Sequence, residues 1–166
     1  EAGLAQLRRG THWHADETRW EVFEEFEGKV GHRWYLWVFK SQTVVCFVLD
    51  PSRSAKVPGA ALQGVSQGIL SVDRFGAYRK FARQTPGVSL AICWAHQRRD
   101  FLRLANDHPV LWDWAMGWVE QIAKLYRLHA LRRQHYDSAS DQAAFIDSDT
   151  QLRELIEVMD VQCQSG

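Results

Sequence analysis

Trp34-Tyr35-Leu36-Trp37-Val38-Phe39 is apolar at every position, and the run from Thr43 to Leu49 is nearly so. A half-buried strand alternates apolar with polar residues, so unbroken runs of this kind predict strands covered on both faces. Residues 13–16 and 18–26 also read as strand material, and Gly28 to Gly31 as a turn before the run from Arg33 to Lys40. Asp50-Pro51-Ser52 marks another turn. Beyond it the pattern changes. A short helix around Val57 to Leu62 leads to a strand from Ile69 to Asp73. A helix from Phe75 to Arg83 is closed by Pro86-Gly87 and followed by a buried strand from Val88 to Cys93. Trp94 to Ala105 carries Phe101, Leu104 and Ala105 at helical spacing. After the breaker Asp107-His108-Pro109, the longest helix is expected from Val110 to Gln134, with a stripe at Leu111, Ala115, Trp118, Ile122 and Leu125. Tyr136 to Ser140 is a polar break. Ser148, with Gln151 three residues on, resembles a capping box that opens a last helix bearing Leu152, Leu155, Ile156 and Met159.

Three strands in succession, then strands alternating with helices, predict an α/β chain with a mixed five-stranded sheet flanked by helices and extra helices at the C-terminal end. Two acids stand out in that frame. Asp16 lies in the first strand, where Asp is a poor strand former and an unpaired buried carboxylate is expensive. Asp73 ends the fourth. In an RNase H-like layout the first and fourth strands lie side by side, so the two carboxylates share one site. A divalent ion gives them a reason to be there, and two acids are the minimum for two-metal phosphoryl transfer. Hard carboxylate oxygens suit Mg²⁺ or Mn²⁺. The expected organisation is the end of an upstream helix over 1–10, an RNase H-like core over 11–134, and a C-terminal helical segment over 135–166.

The chain of 166 residues suits one domain with a real core. Lys and Arg balance Asp and Glu at 20 each, which argues against a purely electrostatic nucleic-acid binder but leaves room for local patches. One such patch holds Arg98, Arg99 and Arg103; another holds Lys124, Arg127, Arg132 and Arg133. No stretch approaches the roughly 20 apolar residues of a membrane span. The first residues do not resemble a secretion signal. Cys46, Cys93 and Cys163 form no disulfide framework, and reduced thiols in a cytoplasm are the expectation.

Four segments carry a family resemblance. His14-Ala15-Asp16-Glu17-Thr18 resembles the HADET segment of the insertion sequence 66 family of bacterial transposases. Asp50-Pro51-Ser52-Arg53-Ser54 is similar to its DPSRS turn. Val72-Asp73-Arg74-Phe75-Gly76-Ala77-Tyr78 is similar to its D-x-[YF]-x-A-Y segment, and Cys93-Trp94-Ala95-His96-Gln97-Arg98-Arg99-Asp100-Phe101 to its CWAHxRRxF segment. The resemblance spans roughly residues 12–130. It implies a DDE transposase that cuts and rejoins double-stranded DNA at transposon ends and target with two Mg²⁺ ions, as a homo-oligomer, with Asp16 and Asp73 as the first two catalytic and metal-binding acids. The family's third acid is a Glu in an N-N-x-x-E-R segment, which these residues do not contain. Glu120, Glu154, Glu157 and Asp107 lie in other contexts. A fragment lacking one catalytic acid is the expectation.

Other residues invite a role beside a plainer one. Cys93 and His96 have the C-x-x-H spacing of zinc ligands, but no second pair completes a site of about four; a buried strand cysteine and a helix-start histidine serve as well. Arg74, Arg98 and Arg99 follow strand ends and suit bidentate phosphate contacts, or pair with Asp100 or Glu17. His14 points to the same side of its strand as Asp16. The eight tryptophans are expected in the core. Two other functions compete with the transposase: a non-enzymatic remnant offering only DNA or protomer contacts, and a nuclease of the RNase H type acting on RNA–DNA hybrids.

Overall fold

The computed structural model describes residues 2–22, 32–137 and 141–165. The expected turn at Gly28 to Gly31 and the far end of the first strand lie outside them. Two compact units emerge, residues 1–93 and 94–166.

The first unit begins with a short helix, α1 (Ala2–Leu7), then β1 (His12–Val22), β2 (His32–Lys40) and β3 (Val45–Asp50). A helix, α2 (Lys56–Ala61), precedes β4 (Gly68–Val72), and α3 (Gly76–Gln84) precedes β5 (Val88–Ile92). The sheet order is β3-β2-β1-β4-β5. β1 pairs antiparallel with β2, and β2 with β3, while β1–β4 and β4–β5 are parallel. This is the expected RNase H-like mixed sheet, with the first and fourth strands adjacent at its centre. Parallel neighbours need a crossover, and α2 and α3 supply the two.

Strand alternation sorts β1 into two faces. Trp13 and Ala15 are buried, and the Glu17 side chain follows them inward. His14 and Asp16 are exposed on the other face. The inward face packs Trp13, Trp37, Phe39, Leu70 and Val72 against Val57, Ala61 and Leu62 from the α2 segment and Ala77, Tyr78 and Phe81 of α3. Trp13 donates its indole N–H to the carbonyl of Leu7 at 2.8 Å, which ties α1 to the core. Gly68 is required where β4 starts. Its φ is +146°, and a Cβ there would lie 2.4 Å from the Trp13 ring.

Coverage on both faces does not hold for β3. Cys46 and Val48 pack against the core, but Val45, Phe47 and Leu49 are 45–67% exposed. β3 is an edge strand, and among the described residues nothing buries its outer face. An apolar run reads as doubly covered only when something lies on both sides.

The second unit holds α4 (Trp94–Asp107), a 3₁₀ turn (Pro109–Leu111), α5 (Trp112–Asp137) and α6 (Gln142–Gln164). Trp118, Ile122 and Leu128 of α5 pack with Leu152, Leu155 and Met159 of α6, and Phe101 stacks on Trp118 at 5.6 Å. The expected α5 stripe holds at Ala115, Trp118 and Ile122 but not at Leu111, which lies in the 3₁₀ turn and is 41% exposed. Asp149 accepts from Arg132 and Arg153, and those hydrogen bonds hold its carboxyl below the ordinary range.

The expected start of the last helix at Ser148 is a correction. The helix begins at Gln142, and Asp141 caps it by accepting from Ala144 N–H. Ser148 is buried inside it, with its hydroxyl donating back to the carbonyls of Ala144 and Phe145. A hydroxyl mid-helix has that alternative partner, so a local capping pattern does not by itself locate a terminus.

Not every tryptophan is in the core. Trp13, Trp37 and Trp118 are buried, whereas Trp20, Trp94, Trp112 and Trp114 rank among the exposed large side chains. The cysteines are free thiols, and Cys163 is exposed rather than buried. No described helix is long and apolar enough to cross a membrane.

Candidate active site

β1 and β4 run parallel, with His12 beside Ile69, Trp13 beside Leu70 and His14 beside Ser71. Two residues past this register stand Asp16, still within β1, and Asp73, the first residue beyond β4. Alternation keeps Asp16 on the face of His14. The paired register ends at His14 and Ser71, so continued alternation past it is what would bring the two aspartates to one face. Asp16 was expected on a largely buried strand, yet its side chain is exposed. β1 is buried on one face only, and Asp16 takes the open one.

Each carboxylate is held by a nearby backbone amide. Glu17 N–H donates to Asp16 Oδ1 at 3.0 Å, and Phe75 N–H donates to Asp73 Oδ1 at 2.8 Å. The second contact is an Asx turn that carries the chain from β4 into α3. His12 Nε2 lies 2.9 Å from Ser71 Oγ, and the His12 and His14 rings are 4.9 Å apart. Desolvation, then the charges of His12 and Lys40, lower the pKa of His14 and favour its neutral ring.

The inward acid is Glu17, whose side chain is 1% exposed. Arg53 donates to its Oε1 from Nε at 2.9 Å and from Nη2 at 2.6 Å. Tyr78 donates its hydroxyl to Oε2 at 2.5 Å. Sequence reasoning singled out Asp16 and missed its neighbour's role. The signal was present: Trp13, Ala15 and Glu17 share one parity, and His14, Asp16 and Thr18 the other. An acid on the apolar parity needs a buried partner.

Burial raises the Tyr78 pKa well above the tyrosine range, helped by its bond to Glu17 and by the charges of Glu17, Asp16 and Asp73. The unfolded chain then releases this proton near pH 10 while the folded chain retains it. Stability from this group is fully present below about pH 10 and falls above it by about 1.4 kcal/mol per pH unit. Urea unfolding between pH 9 and 11 is expected to show a slope smaller by about one proton in Tyr78→Phe; equal slopes would refute the assignment.

Arg74 directly follows Asp73 and is exposed. Arg98 and Arg99 are exposed on α4, in the second unit. Of the partners weighed for them, Asp100 pairs with Arg103 and Glu17 with Arg53. Cys93 follows β5, its N–H donating to Val72 O at 2.8 Å, and His96 lies in the first turn of α4. Among the described residues no group of three or more His, Cys, Asp or Glu side chains is arranged to hold a metal. The Asp16–Asp73 pair still suits a hard ion, because Mg²⁺ commonly takes one or two carboxylates and keeps several waters.

The virus integrases of known structure offer a loose comparison. The HTLV-2 integrase catalytic core domain in complex with magnesium, in its trimeric form, aligns with a TM-score of 0.33 and 12% identity over 86% of this chain and 82% of that one. Its dimeric form gives 0.34 and 15% over 68% and 82%. The simian T-cell lymphotropic virus intasome in complex with PP2A regulatory subunit B56 gamma gives 0.33 and 14% over 66% and 47%. In sequence, the chain is 31% identical over 116 residues to the uncharacterized protein y4qI of Sinorhizobium fredii (strain NBRC 101917 / NGR234). That match takes in 61% of this chain and 21% of the relative, so the chain spans about a fifth of that relative's length. The sequence profile of the family described as "Transposase IS66 family" matches residues 1–165, and the chain belongs to that family.

Proposed function

We propose that this chain carries two of the catalytic acids of a DDE-type DNA transposase, Asp16 and Asp73, which together hold a divalent ion for DNA strand cleavage and strand transfer. The reading is supported by the parallel β1–β4 register, which ends at His14 and Ser71, two residues before Asp16 and Asp73. Bound there, Mg²⁺ or Mn²⁺ would stabilise charge developing on phosphoryl oxygens. The amides of Glu17 and Phe75 each engage one carboxylate oxygen and so restrict how the acids turn. Arg74, next to Asp73, and Arg98 and Arg99 on α4 are the proposed phosphate contacts to double-stranded DNA. A third acid joins from outside the described cluster, and the complete transposase works as an oligomer with two ions. Cys93 and His96 are proposed to serve structure rather than zinc.

Two carboxylates make an incomplete cage, so the isolated chain is expected to bind Mn²⁺ weakly and to cleave DNA little or not at all. The test is a titration of free Mn²⁺ by electron paramagnetic resonance. Saturable binding that Asp16→Asn and Asp73→Asn each abolish supports the proposal. Binding indifferent to both substitutions refutes it, as does strong cleavage by the isolated chain.

A further inference from the structure

We propose that Arg53 is a positioning residue for the two-aspartate site: through Glu17 and Phe75 it fixes the two backbone amides that hold the Asp16 and Asp73 carboxylates. This rests on the metal-binding reading above and deepens it.

The geometry runs through one guanidinium. Its edge meets the Glu17 carboxylate at 2.9 and 2.6 Å, and its face lies 4.0 Å from the centroid of the Phe75 ring. Glu17 supplies the N–H that holds Asp16, and Phe75 the N–H that holds Asp73. Arg53 thus touches both residues whose amides orient the aspartates, although it lies on the opposite side of β1 from Asp16. Tyr78 closes the cluster from α3, donating to Glu17 and meeting the Phe75 ring edge-on at 6.3 Å.

The turn that carries Arg53 is itself pinned. Asp50 Oδ1 accepts from Ser52 N–H at 2.7 Å, Ser52 Oγ donates to Ser54 Oγ at 2.8 Å, and Trp37 donates its indole N–H to Ser52 O at 3.2 Å. Three segments distant in sequence therefore meet at one cation: the β1 strand, the turn after β3, and the β4–α3 junction. Arginine suits this task. Its planar fork binds a carboxylate along one edge while its face stacks on an aromatic ring. Lysine keeps the charge but cannot do both. An ion pair with one partner buried and the other partly exposed, as Glu17 and Arg53 are, adds little net stability. What this one adds is fixed geometry at the two amides.

The test compares Mn²⁺ affinity and melting temperature for the parent chain, Arg53→Lys, Tyr78→Phe and Val88→Ala. Val88 is buried in the same core and takes no part in the cluster. Arg53→Lys is expected to weaken Mn²⁺ binding on the order of tenfold, the usual effect of losing a group that orients a metal ligand. Tyr78→Phe changes no charge at neutral pH and is expected to weaken it several-fold. Val88→Ala should lower the melting temperature and leave the affinity unchanged. Parent-like affinity in Arg53→Lys overturns the inference, and so do affinities that follow melting temperature through all three variants. If Arg53→Lys fails to fold, Tyr78→Phe decides: parent-like affinity there overturns the inference. Failure of the underlying reading is separately visible, because Asp16→Asn and Asp73→Asn would then retain parent affinity.

Discussion

Asp73→Asn, placed in the assembled transposase, is expected to reduce DNA strand cleavage by on the order of a thousandfold, and Asp16→Asn to do the same. The amide keeps the size of the side chain, and its oxygen still accepts from Phe75 N–H or Glu17 N–H. What it removes is the negative charge that attracts a hard cation. Lewis-acid stabilisation of a phosphoryl oxygen is worth several kcal/mol, and each 1.4 kcal/mol or so is tenfold in rate. On the proposal that the two acids hold one ion, the double variant should fall little below either single one. Cleavage of DNA bearing a transposon end, followed on a denaturing gel, measures this. A loss of less than tenfold with unchanged melting would mean that the ion is held elsewhere.

Trp13→Ala is expected to cost about 3–5 kcal/mol of stability, the range for truncating a fully buried aromatic side chain. Trp13 is 0% exposed. The loss combines an empty volume beneath β1 and β4 with a missing hydrogen bond to Leu7. Trp112→Ala, at a side chain 48% exposed, should cost under about 1 kcal/mol. Urea unfolding followed by circular dichroism compares them. Equal costs would place Trp13 outside the core.

The contrast between those tryptophans marks what sequence alone discloses. Residue type gave one expectation for all eight, yet their burial depends on where each strand or helix sits. Trp13 was legible as core through its parity with Ala15. Trp112 and Trp114 lie where α5 starts, a region whose covering no local pattern specifies. Strand order was largely legible, because two parallel strands with helical crossovers must follow three that are hairpin-like, and that leaves few arrangements of β1 and β4. The outer face of β3 was not, since an edge strand and a central one can share the same apolar run. At the site, the family segments pointed to Asp16 and Asp73. The Glu17–Arg53–Tyr78 cluster joins three of those segments through side chains far apart in sequence, and only the folded register brings them together. Ser148 was misread for a related reason: its hydrogen bonds run back into its own helix.

The most direct measurement is a crystal of the chain soaked in Mn²⁺ and recorded near the manganese absorption edge. An anomalous peak is expected between β1 and β4, with an oxygen of Asp16 and an oxygen of Asp73 each about 2.0–2.3 Å from it. A peak bound to neither aspartate, or carboxylates that diverge so that no ion touches both, would contradict the proposed site.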